Sequence, residues 1–315
     1  VTRVVAPLDL SILTLGTNVF GWTANQRESF AVLDAFVEAG GTSIDTADVY
    51  SYWGDGNIGG ESEAVIGQWL TAHGARDQVK IATKVGAPGG QFGAAPSLAP
   101  DAIRARFEAS LQRLGCDSVD LLYLHAEDPS TPVEQIADTL DDLVSQGLVS
   151  ACAVSNFSAE SLRALHEAST PAAAPVAIQS HWSLMADAFE RDLLPTCAEL
   201  GVQAIPFWGL EKGFLTGKYR DAGHQPTTER EQRHRPFDLL DERGARVLDA
   251  LDVISAEHGV SVAAVALGWL AAQPQVASVV ASARTPQQLG ELMQVADVEL
   301  SAEQVALLDA ARRTE

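Results

Sequence analysis

Ser43-Ile44-Asp45-Thr46-Ala47-Asp48-Val49-Tyr50 sets two carboxylates and a phenol directly behind a short apolar run. Upstream, residues 12–17 (ILTLGT) read as a strand, and Gln26 to Ala39 carries a helical pattern that stops at Gly40-Gly41. The same strand-then-helix unit keeps returning downstream. Residues 43–47 precede a helix at 61–72, 79–84 precede 100–114, 119–125 precede 132–146, and 149–155 precede 158–169. Then come 176–180 with 188–200, 203–207 with 243–257, and 276–280 with 286–295. Pro132 suits a first helical turn. Strands rich in Val, Ile and Leu in such an alternation predict an α/β protein, a (β/α)8 TIM barrel forming a single domain over 1–315. Helical segments at 261–272 and 302–312 fall outside the repeat and are expected on the barrel exterior. The polar stretch 220–238 is expected to be a mobile βα loop over the active face, and the glycine-rich loops after strands two and three are expected on that face too.

Composition narrows the class of partner. Acidic residues outnumber basic ones by 42 to 21, a formal charge of -21, and 46% of the chain is hydrophobic. Such a surface disfavours nucleic acid and anionic membrane, and any polyanionic cofactor would need local Lys and Arg. No apolar run is long enough to span a bilayer, and the first residues resemble no signal sequence, so a cytoplasmic location is expected. Cys116, Cys152 and Cys197 are odd in number and far apart, which reads as buried thiols rather than disulfides or a metal knuckle. Oligomeric state is not legible in the amphipathic pattern.

Lys84 closes I-A-T-K and His125 closes L-L-Y-L-H, so with Asp45 and Tyr50 four titratable side chains gather at the ends of strands two, three and four. Taken singly, a strand-end Asp caps a loop and a Tyr packs over a barrel rim. Together they suit a reaction in which a carbonyl oxygen gains negative charge and needs a proton. Tyrosine has a reference pKa of about 10, and an ammonium beside it favours the phenolate, so Lys84 would tune Tyr50 as an acid while Asp45 holds Lys84. His125 would offer a ring N–H to the same oxygen. A metal-dependent barrel hydrolase or isomerase using Asp45, Asp48, His125 and His181 is the rival. It lacks an H-x-H or H-E-x-x-H pattern, and Lys84 would compete with the cation.

On these residues the chain resembles the aldo-keto reductase family, in the bacterial branch with a short C-terminus, across nearly its whole length. The diagnostic D-T-A-x-x-Y and the following G-x-S/G-E stand here as Asp45 to Tyr50 and Gly59-Gly60-Glu61-Ser62-Glu63. The resemblance implies a catalytic tetrad of Asp45, Tyr50, Lys84 and His125 that interconverts aldehydes or ketones and alcohols with an extended nicotinamide nucleotide and no Rossmann fold. A small-molecule carbonyl or alcohol is then the partner, and a monomer the family-based default.

The resemblance also implies a cofactor site. In A-V-S-N-F, Ser155 and Asn156 match the pair that binds the nicotinamide carboxamide, joined by Gln179 in V-A-I-Q-S. Phe207 takes the place of the stacking tyrosine, retaining an aromatic face. Gly209, Leu210, Lys212, Gly213 and Leu215 follow in the order of the segment that covers the pyrophosphate, with Lys218 in reach of phosphate. In V-A-S-A-R-T-P-Q-Q-L-G-E-L, Ser282 and Arg284 match positions for an adenosine 2'-phosphate, and Gln288 and Glu291 match adenine-side contacts, although Leu292 replaces the customary asparagine. Arg284 near a helix N-terminus favours NADPH/NADP+, with NADH also open. Aromatic residues Trp22, Tyr52, Trp53, His181, Trp182 and Trp208 fall in the predicted loops as a substrate rim for a sugar ring, an aryl group or a flat ketone. The rival from another class is a nucleotide-binding regulatory or interaction subunit that keeps the barrel, as channel-associated relatives do.

Overall fold

The computed structural model describes residues 3–5, 8–221 and 223–313. The strands of its main sheet are β1 (Leu13–Gly16), β2 (Ser43–Asp45), β3 (Lys80–Val85), β4 (Val119–Leu124), β5 (Val149–Ser155), β6 (Ala177–Gln179), β7 (Gln203–Ala204) and β8 (Val279–Ala281). All neighbouring pairs are parallel, in the order β8-β1-β2-β3-β4-β5-β6-β7. The curled sheet closes through a parallel bridge between Ala204 and Val276, with Ala204 N–H donating to Gln275 O at 2.7 Å and Val280 N–H to Pro206 O at 2.9 Å. This is the eight-stranded barrel that the alternation predicts.

Two hydrophobic layers hold it. Leu13, Leu15, Ile44, Ile81, Leu122 and Val154 face outward into the shell between strands and helices. Inside the barrel, alanines at 82, 151, 153, 177 and 277 leave room for Leu121, Tyr123 and Ile205. Leu10 joins this inner cluster. It ends a hairpin, Arg3–Val5 paired antiparallel with Leu8–Leu10, that precedes every element expected from periodicity.

Local signals set the helix ends. Asn25 and Glu28 form a reciprocal capping box at the start of α1 (Gln26–Glu38). α2 (Glu61–His73) and α3 (Pro100–Leu114) approach closely at Gly67, where a Cβ would lie 2.1 Å from Arg113 O. α4 (Val133–Ser145) and α5 (Ala159–Ala168) follow as expected. The helix predicted over 188–200 divides into α6 (Ala188–Asp192) and α7 (Leu194–Leu200), because Pro195 lacks an N–H for the ladder. Likewise the strand predicted over 203–207 ends at Ala204, ahead of Pro206.

Within 220–238 the chain forms α8 (Glu229–His234) and a 3-10 turn at Pro236–Leu239. α9 (Glu242–His258) and α10 (Val262–Ala271) come next, α10 with Ala263 to Leu270 all buried. α11 (Pro286–Met293) and α12 (Ala302–Ala311) complete the chain. Among the described residues no single helix is long and apolar enough to cross a membrane. Cys152 and Cys197 are buried and Cys116 half-buried, all three as thiols; burial pushes the first two up to about 12.

Candidate active site

Strand register brings the polar quartet together. Asp45 ends β2 opposite Ala82 of β3, and Lys84, two residues on, points to the same face. Its Nζ lies 2.5 Å from Asp45 Oδ2, with no exposed side-chain surface on Lys84 and 1% on Asp45. The Tyr50 N–H donates to Ala47 O at 3.1 Å, a turn that folds the ring back over the strand ends. Lys84 Nζ then donates to the Tyr50 hydroxyl at 2.9 Å and to Thr46 O at 2.9 Å. His125 leaves β4 with its N–H on Val85 O, and its ring stands 5.9 Å from that of Tyr50, nearly edge-on.

Burial decides the protonation states. Tyr50 is held well above the usual 10.0, first by burial and then by the Asp45 charge, whose Oδ2 lies 3.4 Å from the hydroxyl. The expectation that Lys84 draws Tyr50 toward the phenolate is therefore corrected. The ammonium is neutralised by Asp45 and its own pKa is lowered by desolvation. His125 is pushed well below 6.5 by burial and by the charges of Lys84 and Arg106, so it is neutral near pH 7. Its Nδ1 is buried without a hydrogen-bond partner.

Beneath the quartet lies a second layer of buried charge. Arg106 Nε donates to Asp48 Oδ2 at 2.5 Å, and its Nη2 to Ala87 O, with the guanidinium 3.9 Å from the Phe92 ring centre. Arg113 donates to Glu63, which also accepts from Thr83. Burial raises Asp48 to about 6 against the pull of Arg106.

A cavity of about 460 Å³ opens over Tyr50 and His125 and runs along the C-terminal strand ends. The expected nicotinamide group, Ser155, Asn156, Gln179 and Phe207, lines its inner end. Asn156, at φ 57°, donates from Nδ2 to His125 O at 3.1 Å and to Ser155 Oγ at 3.0 Å. Gln179 Nε2 donates to Asp45 Oδ1 at 3.0 Å. Gly209, Leu210, Lys212, Gly213 and Lys218 also line the cavity, and Gly213 adopts φ 102°, a region that favours glycine. Ser282, Arg284, Gln288 and Glu291 line it too, as does Leu292. Gln288 Oε1 there accepts from Arg284 N–H at 3.0 Å, leaving its amide NH2 to donate outward.

Two assignments made from the sequence are overturned by packing. Trp182 has no exposed surface and belongs to the core, tilted against Phe189 and edge-on to Trp269 with its indole N–H on Glu190. Leu215 is likewise buried in the core. Of the other rim residues, Trp53 and Trp208 line the cavity, while Trp22 and Tyr52 pack against Trp53 at 5.9 and 5.2 Å. His181 stands behind Phe207 and pairs with Glu211 at 2.8 Å.

Sequence reasoning missed several residues of the cavity. Asn18 accepts from Ser282 Oγ at 2.7 Å, and Tyr219, Thr228 and Glu231 form part of the wall. Thr228-x-x-Glu231 is a helix-capping spacing, legible as a short helix within the polar stretch. Glu211 carried no such signal. It is buried, at φ 45°, and also accepts from Ser183 Oγ at 2.7 Å. Among the described residues no cluster of His, Cys, Asp and Glu could hold a metal ion.

A parallel eight-stranded barrel whose strand ends present a buried Lys–Asp pair under a tyrosine hydroxyl, facing one long cleft, defines the class of barrel oxidoreductases. Residues 12–313 match the model of the Aldo/keto reductase family, and the chain belongs to that family, whose members use nicotinamide cofactors. It is 32% identical over 302 residues to aldo-keto reductase str7 of Strobilurus tenacellus, covering 94% of this chain and 85% of that protein. It is 31% identical to norsolorinic acid reductase stcV of Emericella nidulans, covering 96% and 79%. It is 29% identical to the uncharacterized oxidoreductase YrpG of Bacillus subtilis, covering 96% and 92%.

Proposed function

We propose that the protein is an NADP(H)-dependent reductase that interconverts small aldehydes or ketones and their alcohols, with Tyr50 as general acid and base. The observation that carries this reading is the Lys84 ammonium held between Asp45 and the Tyr50 hydroxyl at the floor of the cleft. A reduced nicotinamide, when bound along Phe207, supplies the hydride. Tyr50, kept protonated by burial, gives its proton to the carbonyl oxygen as charge develops there. Lys84 holds the phenolic oxygen and faces the charge left on it. Neutral His125 offers an N–H to the same oxygen and orients it. Asn156 and Ser155 offer an amide and a hydroxyl at the inner end, and Gln179 retains Oε1 as an acceptor while its amide braces Asp45. Arg284, one residue before the Thr285 N-cap of α11, supports preference for the 2'-phosphorylated nucleotide.

The experiment is a fluorescence titration with NADPH and NADH, followed by turnover of a panel of aldehydes, aryl ketones and keto-sugars read by loss of reduced-nicotinamide absorbance. Tight NADPH binding with turnover, abolished in Tyr50→Phe without loss of binding, is the expected result. Full turnover in Tyr50→Phe overturns the acid assignment. Binding without turnover of any carbonyl favours the regulatory subunit.

A further inference from the structure

The mouth of the cleft carries a cation that the reductase reading leaves unused. Arg233, exposed on α8, holds its guanidinium 6.0 Å from the Trp53 ring centre. Among the described residues it makes no ion pair, whereas Arg106, Arg113, Arg220, Arg235 and Arg312 all do. Trp53 in turn lines the cavity with its ring 6.1 Å from that of Tyr50, so one indole separates the cation from the proton donor. The Trp53 Nε1 atom is buried and has no acceptor. On the other side of the opening His234 meets Trp208 at 5.9 Å, and Trp208 also lines the cavity. The short helix α8 therefore bridges the two aromatic walls and brings positive charge to a mouth that otherwise sits on a strongly acidic protein. Flat indole faces accept a planar ring, while an exposed guanidinium without an ion-pair partner calls for an anionic acceptor at its far edge.

We propose that the substrate is an aromatic carbonyl compound that carries a carboxylate or other anionic group across the ring from its carbonyl, and that Arg233 binds that anion. This deepens the reductase assignment and rests on it. With the carbonyl oxygen at Tyr50 and His125, the ring lies along Trp53 and the anion reaches the guanidinium, so charge complementarity selects among carbonyls of equal reactivity.

The test compares 4-carboxybenzaldehyde with its methyl ester, the two differing in one charge far from the reacting carbon. The full chain with saturating NADPH, or NADH if that binds better, is expected to prefer the acid in kcat/KM. The acid-to-ester ratio should fall about tenfold in Arg233→Ala and invert in Arg233→Glu, which in turn should prefer 4-(trimethylammonio)benzaldehyde over the ester. Turnover of both aldehydes with no preference for the acid, or a preference that survives Arg233→Ala, overturns the substrate class and leaves the reductase reading intact. Failure to reduce any of the three aldehydes overturns the substrate class, and failure with the wider carbonyl panel as well removes the reductase reading beneath it.

Discussion

Gln179 donates its side-chain amide to Asp45 Oδ1 at 3.0 Å, while Oδ2 of the same carboxylate takes Lys84. Both oxygens of a buried anion are thus filled, one by a cation from β3 and one by an amide from β6. The residue expected to meet the nicotinamide carboxamide also braces the charged pair under Tyr50. Replacing it by leucine leaves Oδ1 buried without a donor, which costs about 1–3 kcal/mol. Gln179→Leu is expected to lose that much stability in urea denaturation and to bind nicotinamide nucleotides more weakly. A variant of unchanged stability would show that Asp45 does not depend on the amide.

The protonation states of Tyr50 and His125 fix the pH profile of the proposed reaction. Tyr50 sits well above 10.0, so reduction, which needs the phenol, should hold steady from neutrality up to about pH 10. Oxidation of the alcohol needs the phenolate and should rise with pH over the same range. His125 titrates well below 6.5 and should impose no acid limb near neutrality. Steady-state rates in both directions across pH 6.5 to 10 provide the check, with reduction flat and oxidation rising over that window. A basic limb in reduction centred below 10 would instead mean that Lys84 outweighs burial and Asp45.

Asp48 and Arg106 offer a test of the charge layer beneath the site. Folding raises Asp48 from 3.8 to about 6, so the folded protein binds its proton more tightly than the unfolded chain. The resulting stabilisation is complete below pH 3.8 and is lost as pH rises through 6, a swing of about 3 kcal/mol. Asp48→Asn cannot ionise and escapes that swing, although at any pH it leaves Arg106 buried without its counter-charge. The stability difference between wild type and variant, from urea midpoints at pH 4 and pH 7, should therefore shift in favour of the variant as pH rises, within the window set by those two values. A difference independent of pH would place the Asp48 titration at its ordinary value.

Most of the barrel and the Asp45–Lys84–Tyr50–His125 cluster were legible because both depend on short-range pattern. Alternating strands and helices fix the strand ends, and residues two apart on a strand share a face, which is how Lys84 reaches Asp45. Trp182 and Leu215 were misplaced because sequence order along a βα loop does not say which side chains turn inward. Trp182 lies beside His181, yet one fills the core and the other stands behind Phe207. Glu211 was invisible for a related reason. The backbone takes left-handed conformations at Trp208, Glu211 and Lys212, and the buried carboxylate is held by tertiary pairing with His181 and Ser183, which no local pattern announces.

Glu231 braces the segment over the cleft from within and ties it to Tyr219 of the hydrophobic core. Its carboxylate accepts from Thr227 N–H at 2.8 Å, from Thr227 Oγ1 at 2.9 Å and from Tyr219 Oη at 3.0 Å, and these donors hold it down to about 2 against burial. Folding lowers this pKa from 4.5, so the contribution is present above pH 4.5 and is lost as pH falls through about 2. At neutral pH the carboxylate is charged and the tether fully made. Glu231→Ala removes every one of these bonds in a short helix that has little stability of its own. The variant is expected to keep its overall unfolding midpoint while its 220–238 segment becomes readily cleaved by trypsin at Arg233. If the segment covers a bound nucleotide, release should also quicken, raising the dissociation rate severalfold in stopped-flow fluorescence. Protection equal to that of the wild type would show that the aromatic contacts of α8 with Trp53 and Trp208 suffice to hold the segment in place.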